Sequence, residues 1–146
     1  MSNKASKKLK LIKHLENDIY CRIGVSKISG VGVIAIRDIP KNTDPFKILN
    51  NKNDEIIMLT DKDVAGLDKN VLKIINDFFG SGNKKKKYDV LASGANNINV
   101  SFYMNHSDKP NIDIVDDDTS DYYGFRTNRL IKEGEELTID YSKYEE

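Results

Sequence analysis

The sequence predicts a single, mainly β domain, and three observations support this. Short β-branched or alternating segments recur along the chain, and turns rich in Gly, Pro, Asn and Asp separate them. Only one segment, 71–79, has clear amphipathic-helix spacing, and no internal repeat is present. A chain of 146 residues buries about 70% of its unfolded surface on folding, so we expect one hydrophobic core.

The first half of the chain should contain a series of short strands. Residues 1–14 are polar and basic, and are either frayed or a short helix. Residues 19–25 alternate apolar and polar side chains, as a strand with one buried face does. A turn at Ser29-Gly30 separates this segment from a β-branched strand at 31–36. Two further strand candidates follow, at 46–49 and 56–59.

The second half should hold the helix and the remaining strands. Thr60 suits a helix N-cap, with acidic residues placed near the positive end of the helix dipole. The amphipathic segment 71–79 then ends at Gly80, a residue that commonly ends helices. Segments 112–115 and 122–126 flank an Asp-rich turn and should form a hairpin. The other strand candidates are 88–91 and 137–141.

The composition argues against several classes of protein. The formal net charge is zero, so the whole chain has no bias toward nucleic acid or anionic membranes. The single cysteine, Cys21, excludes an internal disulfide and a multi-cysteine zinc site. No apolar run approaches the roughly 20 residues of a membrane span, and the N-terminus lacks a signal-peptide apolar region. We expect an intracellular, soluble protein without a metal, a membrane partner or a direct nucleic-acid partner.

Several motifs are weak when each is taken alone. Gly30-Val31-Gly32 followed by Ala35 matches a dinucleotide-binding pattern, but a β-branched strand follows where that pattern needs a helix. The alternatives are an ordinary turn, or bare backbone that lets a ligand approach the main chain. The aspartates at 116–118 lack the Gly and Glu of a calcium loop, so they form a solvated face or attract a cationic partner. The lysines at 84–87 indicate a solvated loop.

Three motifs in order resemble the SET-domain lysine methyltransferases. They are the glycine pair at 30–32, the segment 102–107 with Pro110-Asn111, and the segment 134–141. The resemblance runs from about residue 19 to residue 144. It implies the β-clip or SET fold, with several small twisted sheets, a C-terminal pseudoknot and a short helical insert. The SET domain would span 18–146 after a basic N-terminal extension at 1–17, with the insert at about 50–98.

The resemblance also implies a cofactor site and a substrate channel. S-adenosyl-L-methionine would be the cofactor. The residues that it assigns to cofactor binding are Gly30, Val31, Gly32, Asn105 and His106. Tyr141 would be the catalytic tyrosine, with Tyr144 as its competitor for that role. The residues that it places in the lysine channel are Tyr103, Ile139 and Tyr144.

The chemistry of lysine agrees with such a channel. Lysine has a pKa near 10.4, so only about one side chain in two thousand is a neutral nucleophile at pH 7. An apolar channel favours the neutral amine. In the family, a Tyr hydroxyl two positions before the catalytic tyrosine limits methylation. Ile139 has no hydroxyl there, so we expect methylation beyond the monomethyl product.

The sequence departs from the family pattern at two places. Phe102 stands where many members have Arg, and no cysteine-rich segment follows Tyr141. The C-terminal tail, the N-terminus or a second subunit in a homodimer would then complete the channel. The expected substrate is a lysine in a basic protein or tail, such as a histone. The alternatives are a non-catalytic SET-like module that binds peptide or cofactor, and a small β domain with a coincidental set of motifs.

Overall fold

The computed structural model describes residues 3–49, 55–80, 87–116 and 124–144. Of Tyr144 only the backbone is described. The helices are α1 (Asn3–Asn17), α2 (Asp61–Val64) and α3 (Lys69–Phe79). The strands are β1 (Cys21–Val25), β2 (Val31–Ala35), β3 (Ile56–Thr60), β4 (Lys87–Leu91), β5 (Asn105–His106), β6 (Ile112–Val115), β7 (Gly124–Thr127) and β8 (Glu136–Ile139). Short 3₁₀ turns lie at Ala95–Asn97, Val100–Tyr103 and Tyr141–Tyr144.

The strands form three small sheets, which confirms the predicted architecture. The largest has the order β1-β2-β8-β5, in which β8 pairs antiparallel with β2 and parallel with β5. Strands β3 and β4 form a second, antiparallel sheet, and β6 and β7 form the third. The last strand of the chain therefore lies between an early strand and the 105–106 segment, so both flanking segments contribute to one site.

Asn111 holds the crossing between β8 and the loop that follows β5. Its side-chain amide donates to the carbonyl of Glu136 at 2.8 Å, and its Oδ1 accepts from the N–H of Thr138 at 2.9 Å. Only 4% of Asn111 is exposed, so these bonds satisfy polar groups that water does not reach. Ser107 adds a backbone bond to Ile139 at 2.9 Å. This crossing is the pseudoknot expected in the C-terminal region.

Two hydrophobic clusters support the sheets. The first lies on the four-stranded sheet, and its fully buried side chains include Val33, Met104 and Leu137. The second lies between α3 and the β3–β4 sheet. The rings of Phe79 and Phe102 meet edge-on at 5.6 Å, so the segment before β5 packs directly on the second cluster. The insert is thus joined to the element that carries the predicted site.

The structure corrects several local predictions. Residues 46–49 form no strand; Phe46 is instead partly buried by edge-on packing against Phe125 at 5.7 Å. The basic N-terminal segment takes the second of its two expected alternatives, since it forms a 15-residue helix, α1, in which no residue is buried. The last strand ends at Ile139 rather than at 141, because Asp140 Oδ1 accepts from the N–H of Ser142 and turns the chain.

Other predictions are confirmed by the described residues. Thr60 caps α2 through a reciprocal pair of bonds with Asp63, and α3 ends at Phe79. The hairpin of β6 and β7 also forms. The predicted Asp-rich turn from 117 and the lysines at 84–86 lie outside the described residues, as do residues 50–54. None of the helices within the four described ranges is long and apolar enough to cross a membrane.

Candidate active site

Tyr141 begins the 3₁₀ turn that follows β8 after Asp140, and its hydroxyl is fixed by one backbone group. The phenol donates to the carbonyl oxygen of Met104 at 2.5 Å. Met104 is itself buried in the first cluster, so the acceptor is held by the core. Partial burial and the nearby Glu136 carboxylate raise the pKa of Tyr141. The hydroxyl therefore stays protonated at neutral pH and acts as a donor toward Met104.

His106 holds the backbone at Tyr141. Its Nδ1 lies 3.0 Å from the N–H of Tyr141, and its Nε2 lies 3.0 Å from Oδ1 of Asp108. Because Nδ1 must accept from a backbone N–H, the proton of the neutral ring belongs on Nε2, which donates to Asp108. The two rings lie 5.3 Å apart. Hydrogen bonds from Ser142 lower the pKa of the adjacent Asp140, which stays ionised.

Asn105 lies at the meeting point of three chain segments. Its Nδ2 is 2.8 Å from Glu136 Oε2 and 3.0 Å from Ser26 Oγ. The carbonyl oxygens of Ser29 and Val31 lie 3.2 and 3.0 Å from the same nitrogen. The loop between β1 and β2, the start of β8 and β5 are therefore tied together at one amide.

The two glycines of the first motif have different environments. Gly30 adopts a positive φ of 52°, and a Cβ there would meet nothing within 4 Å, so the space beside it is open. At Gly32 the space for a Cβ is filled by the Glu136 carboxylate and by Asn105 Nδ2 at 3.0 Å. Gly32 thus makes room for the chain's own polar groups, whereas Gly30 leaves backbone accessible beside the half-exposed Val31.

The three residues expected in a lysine channel are distributed differently. Ile139 is buried in the first cluster and pairs in register with His106. The Tyr103 ring packs against Phe78 of α3, with centroids 5.3 Å apart. Tyr144 ends the 3₁₀ turn, and its side chain is not among the described ones. The structure therefore brings Tyr141, His106 and Asn105 together, while a channel formed by the other residues stays a prediction.

The hollows in the described part of the chain include one beside β6 and one beside Tyr20. A groove of about 590 Å³ runs along β6, with Asp113, Asp116 and Asp140 at its rim and Lys143 as its basic residue. A smaller hollow of about 200 Å³ lies beside Tyr20 and has mainly apolar walls. The groove places three carboxylates beside the turn that carries Tyr141.

Sequence reasoning missed three groups that build this site. They are the hydroxyl of Ser26, the carboxylate of Glu136 and the main-chain carbonyl of Met104. Glu136 and Met104 stand inside the recognised motifs, but nothing in the pattern separates a structural residue from one that contacts a site side chain. No local signal marks Ser26, whose partner Glu136 lies 110 residues away in the sequence.

Comparison with family models agrees with this architecture. A family model described as the SET domain matches residues 30–142. No curated protein sequence matches the chain. Among solved structures, the chain is similar to a Plasmodium falciparum protein described as a "putative histone methyltransferase". The two are 20% identical, and the match covers 84% of this chain and 93% of that chain with a TM-score of 0.45. Because the family model spans well over half of the residues, the chain belongs to the SET-domain family.

Proposed function

We propose that the protein is a protein-lysine N-methyltransferase that uses S-adenosyl-L-methionine and has Tyr141 as its catalytic tyrosine. Lysine methylation is the usual activity of SET domains, which supports the reaction class. The observation that carries the assignment is the Tyr141 hydroxyl, held 2.5 Å from the carbonyl oxygen of Met104. Two oxygens at a fixed distance can orient an amine and stabilise positive charge as it moves during transfer.

The residues around Asn105 fit the cofactor's charge. S-adenosyl-L-methionine carries an ammonium and a sulfonium, both cationic. The acceptors around Asn105 Nδ2 outnumber its two hydrogens, and they include the Glu136 carboxylate. Within the described ranges, no lysine or arginine forms an ion pair with that carboxylate. Such an excess of acceptors favours a cationic ligand, and the open space at Gly30 would admit it beside the backbone.

The residues that would hold the cofactor are Gly30, Val31, Gly32, Asn105 and His106. The cofactor supplies a methyl group on a positively charged sulfur. The protein must then present a neutral amine, since an ammonium has no lone pair with which to attack. Tyr141 keeps its proton because its pKa is raised, and directs that proton to Met104. The lone pairs of the phenol oxygen then remain available to orient the substrate amine.

We further propose that the substrate is a lysine in a basic protein or tail, such as a histone tail. The carboxylates along the groove beside β6 support this choice, since they would attract a cationic peptide. Ile139 has no hydroxyl that could hold a water against the amine. We therefore expect products beyond monomethyl-lysine, which mass spectrometry at saturating cofactor would detect.

The test compares wild type with Tyr141→Phe on a panel of histones and other basic proteins, using radiolabelled cofactor. Removing the hydroxyl should lower turnover by about 100-fold or more, as loss of a group that stabilises a transition state does. Tyr88→Phe is the matched control. Tyr88 belongs to the second cluster, and the change removes a phenol hydroxyl that donates to Asp61. Because this hydroxyl is not part of the candidate site, the variant should keep near wild-type turnover.

Two outcomes would contradict the proposal. Equal labelling by wild type and Tyr141→Phe would remove Tyr141 from the reaction. Cofactor binding by calorimetry, without methylation of any substrate on the panel, would favour a SET-like binding module.

A further inference from the structure

The Glu136 carboxylate links three parts of the candidate site. Glu136 is the first residue of β8, and its oxygens accept from the Ser26 hydroxyl at 2.7 and 2.9 Å. One of them also accepts from Asn105 Nδ2 at 2.8 Å. The Ser26 oxygen in turn accepts the N–H groups of Ile28 and Ser29 at 2.9 and 3.1 Å. One carboxylate thus organises both the glycine-containing loop and Asn105.

These contacts leave only one tolerable orientation of the Asn105 amide. Its nitrogen faces Ser29 O, Val31 O and a Glu136 oxygen, none of which can donate a hydrogen bond. A rotation of the amide by 180° would put Oδ1 against three other acceptors. Nδ2 therefore points inward and Oδ1 points away from them. Among the described residues, no donor is bonded to this Oδ1.

We propose that Glu136 is a positioning residue, which fixes the Asn105 amide so that Oδ1 accepts from the ammonium of the cofactor's amino-acid part. This inference rests on the proposed function. A carboxylate suits the task because both oxygens only accept, whereas a glutamine could turn its own N–H₂ toward Asn105. The charge of the ammonium would also offset the excess of acceptors at this point.

Gly32 provides an independent way to disturb the same contact. A Cβ at residue 32 would collide with the Glu136 carboxylate. Gly32→Ala should therefore displace that carboxylate and reproduce the effect of removing it. The glycine of the motif is thus required by a protein side chain, in addition to any need of the ligand.

The experiment measures binding of two ligands by calorimetry. S-adenosylhomocysteine carries the amino-acid part, and 5′-methylthioadenosine lacks it. Glu136→Ala should weaken the binding of S-adenosylhomocysteine by about tenfold, which corresponds to the loss of one hydrogen bond to a charged group. Binding of 5′-methylthioadenosine should change by less than about twofold. Glu133→Ala, on the exposed surface, is the matched control and should alter neither.

A double-mutant cycle that combines Glu136→Ala with Asn105→Ala tests whether Glu136 acts on the cofactor through Asn105. If Glu136 acts through Asn105, the double variant should bind S-adenosylhomocysteine no more weakly than Asn105→Ala alone. Glu136→Gln keeps the volume of the side chain and protects the test against unfolding of the alanine variant. We expect Glu136→Gln to weaken the binding of S-adenosylhomocysteine more than that of 5′-methylthioadenosine, and Gly32→Ala should do the same.

Four results would overturn the inference, and one of them also bears on the proposed function. Equal losses of affinity for the two ligands would indicate a structural role for Glu136. Additive losses of affinity in the double-mutant cycle would indicate the same. If the wild type bound neither ligand, the proposed function itself would fail. Binding of both ligands to wild type with no selective effect of Glu136 would overturn this inference alone.

Discussion

The backbone N–H of Tyr141 donates a hydrogen bond to Nδ1 of His106 at 3.0 Å, across 35 residues of sequence. Nδ1 can accept only when the ring proton is on Nε2, where Asp108 Oδ1 lies 3.0 Å away. A histidine that the family pattern assigns to the cofactor thus also holds the start of the turn that carries the tyrosine. Its loss should affect both binding and the position of the hydroxyl.

His106→Ala should lower kcat for lysine methylation by about tenfold, since a small displacement of a reacting group is costly. His106→Asn should recover part of this loss, because Oδ1 of asparagine can take the place of Nδ1 as acceptor. Steady-state kinetics with a basic peptide measures the difference. Glu133→Ala is the control, since this side chain lies on the exposed surface and does not contact His106. Equal kcat values for the alanine and asparagine variants would contradict a role of Nδ1.

Tyr141→Phe should also lower the free energy of unfolding, independently of any effect on turnover. The hydroxyl is bonded to a buried residue's carbonyl, and a hydrogen bond of this kind contributes about 0.5–1.5 kcal/mol. The lower end is expected, since 46% of Tyr141 is exposed. Urea unfolding followed by circular dichroism measures the change. An unaltered midpoint would show that the bond to Met104 contributes little in solution.

Cys21 should be unreactive in the folded protein. Burial, with a smaller contribution from Asp44, raises the pKa of Cys21 to about 12. Because the thiolate is the reactive form, alkylation by iodoacetamide at pH 8 should be much slower in native protein than in urea. Equal rates in the two states would show that the thiol is not shielded.

The raised pKa of Cys21 also predicts how the stability of the protein changes with pH. The folded pKa lies above the ordinary value of 9.0, so the native state holds the proton more tightly. The stabilisation is complete below about pH 9 and is lost as the pH rises through about 12. Cys21→Ala should therefore lose less stability over this range than wild type does, as measured by thermal unfolding. Parallel curves for the two proteins would contradict the prediction.

Phe102→Arg should destabilise the protein, although arginine is what many family members have at this place. Phe102 packs on the ring of Phe79 at 5.6 Å, against the second cluster. A charged side chain there would leave a gap and bring a charge to an apolar contact, at a cost of about 1–3 kcal/mol. Phe102→Leu should cost less. Chemical unfolding compares the two, and equal losses would show that the apolar contact is unimportant.

Local patterns in the sequence predicted much of the fold. The apolar spacing of 71–79 and the cap at Thr60 gave the helices of the insert, since both depend on neighbours within a few residues. The prediction of a strand at 46–49 was wrong. An apolar run does not tell whether its side chains are buried by a strand or by an irregular loop, and here the loop packs through Phe46.

The sequence by itself determined the family, through three motifs in a fixed order, and with it the position of Tyr141 and of Asn105-His106. Only the tertiary structure decided that Glu136 bonds to Ser26 and Asn105, and that Met104 receives the Tyr141 hydroxyl. The physical reason is the distance along the chain. Periodicity and capping report interactions between near neighbours, whereas these bonds join residues 31 to 110 positions apart, which meet only after the sheets have packed.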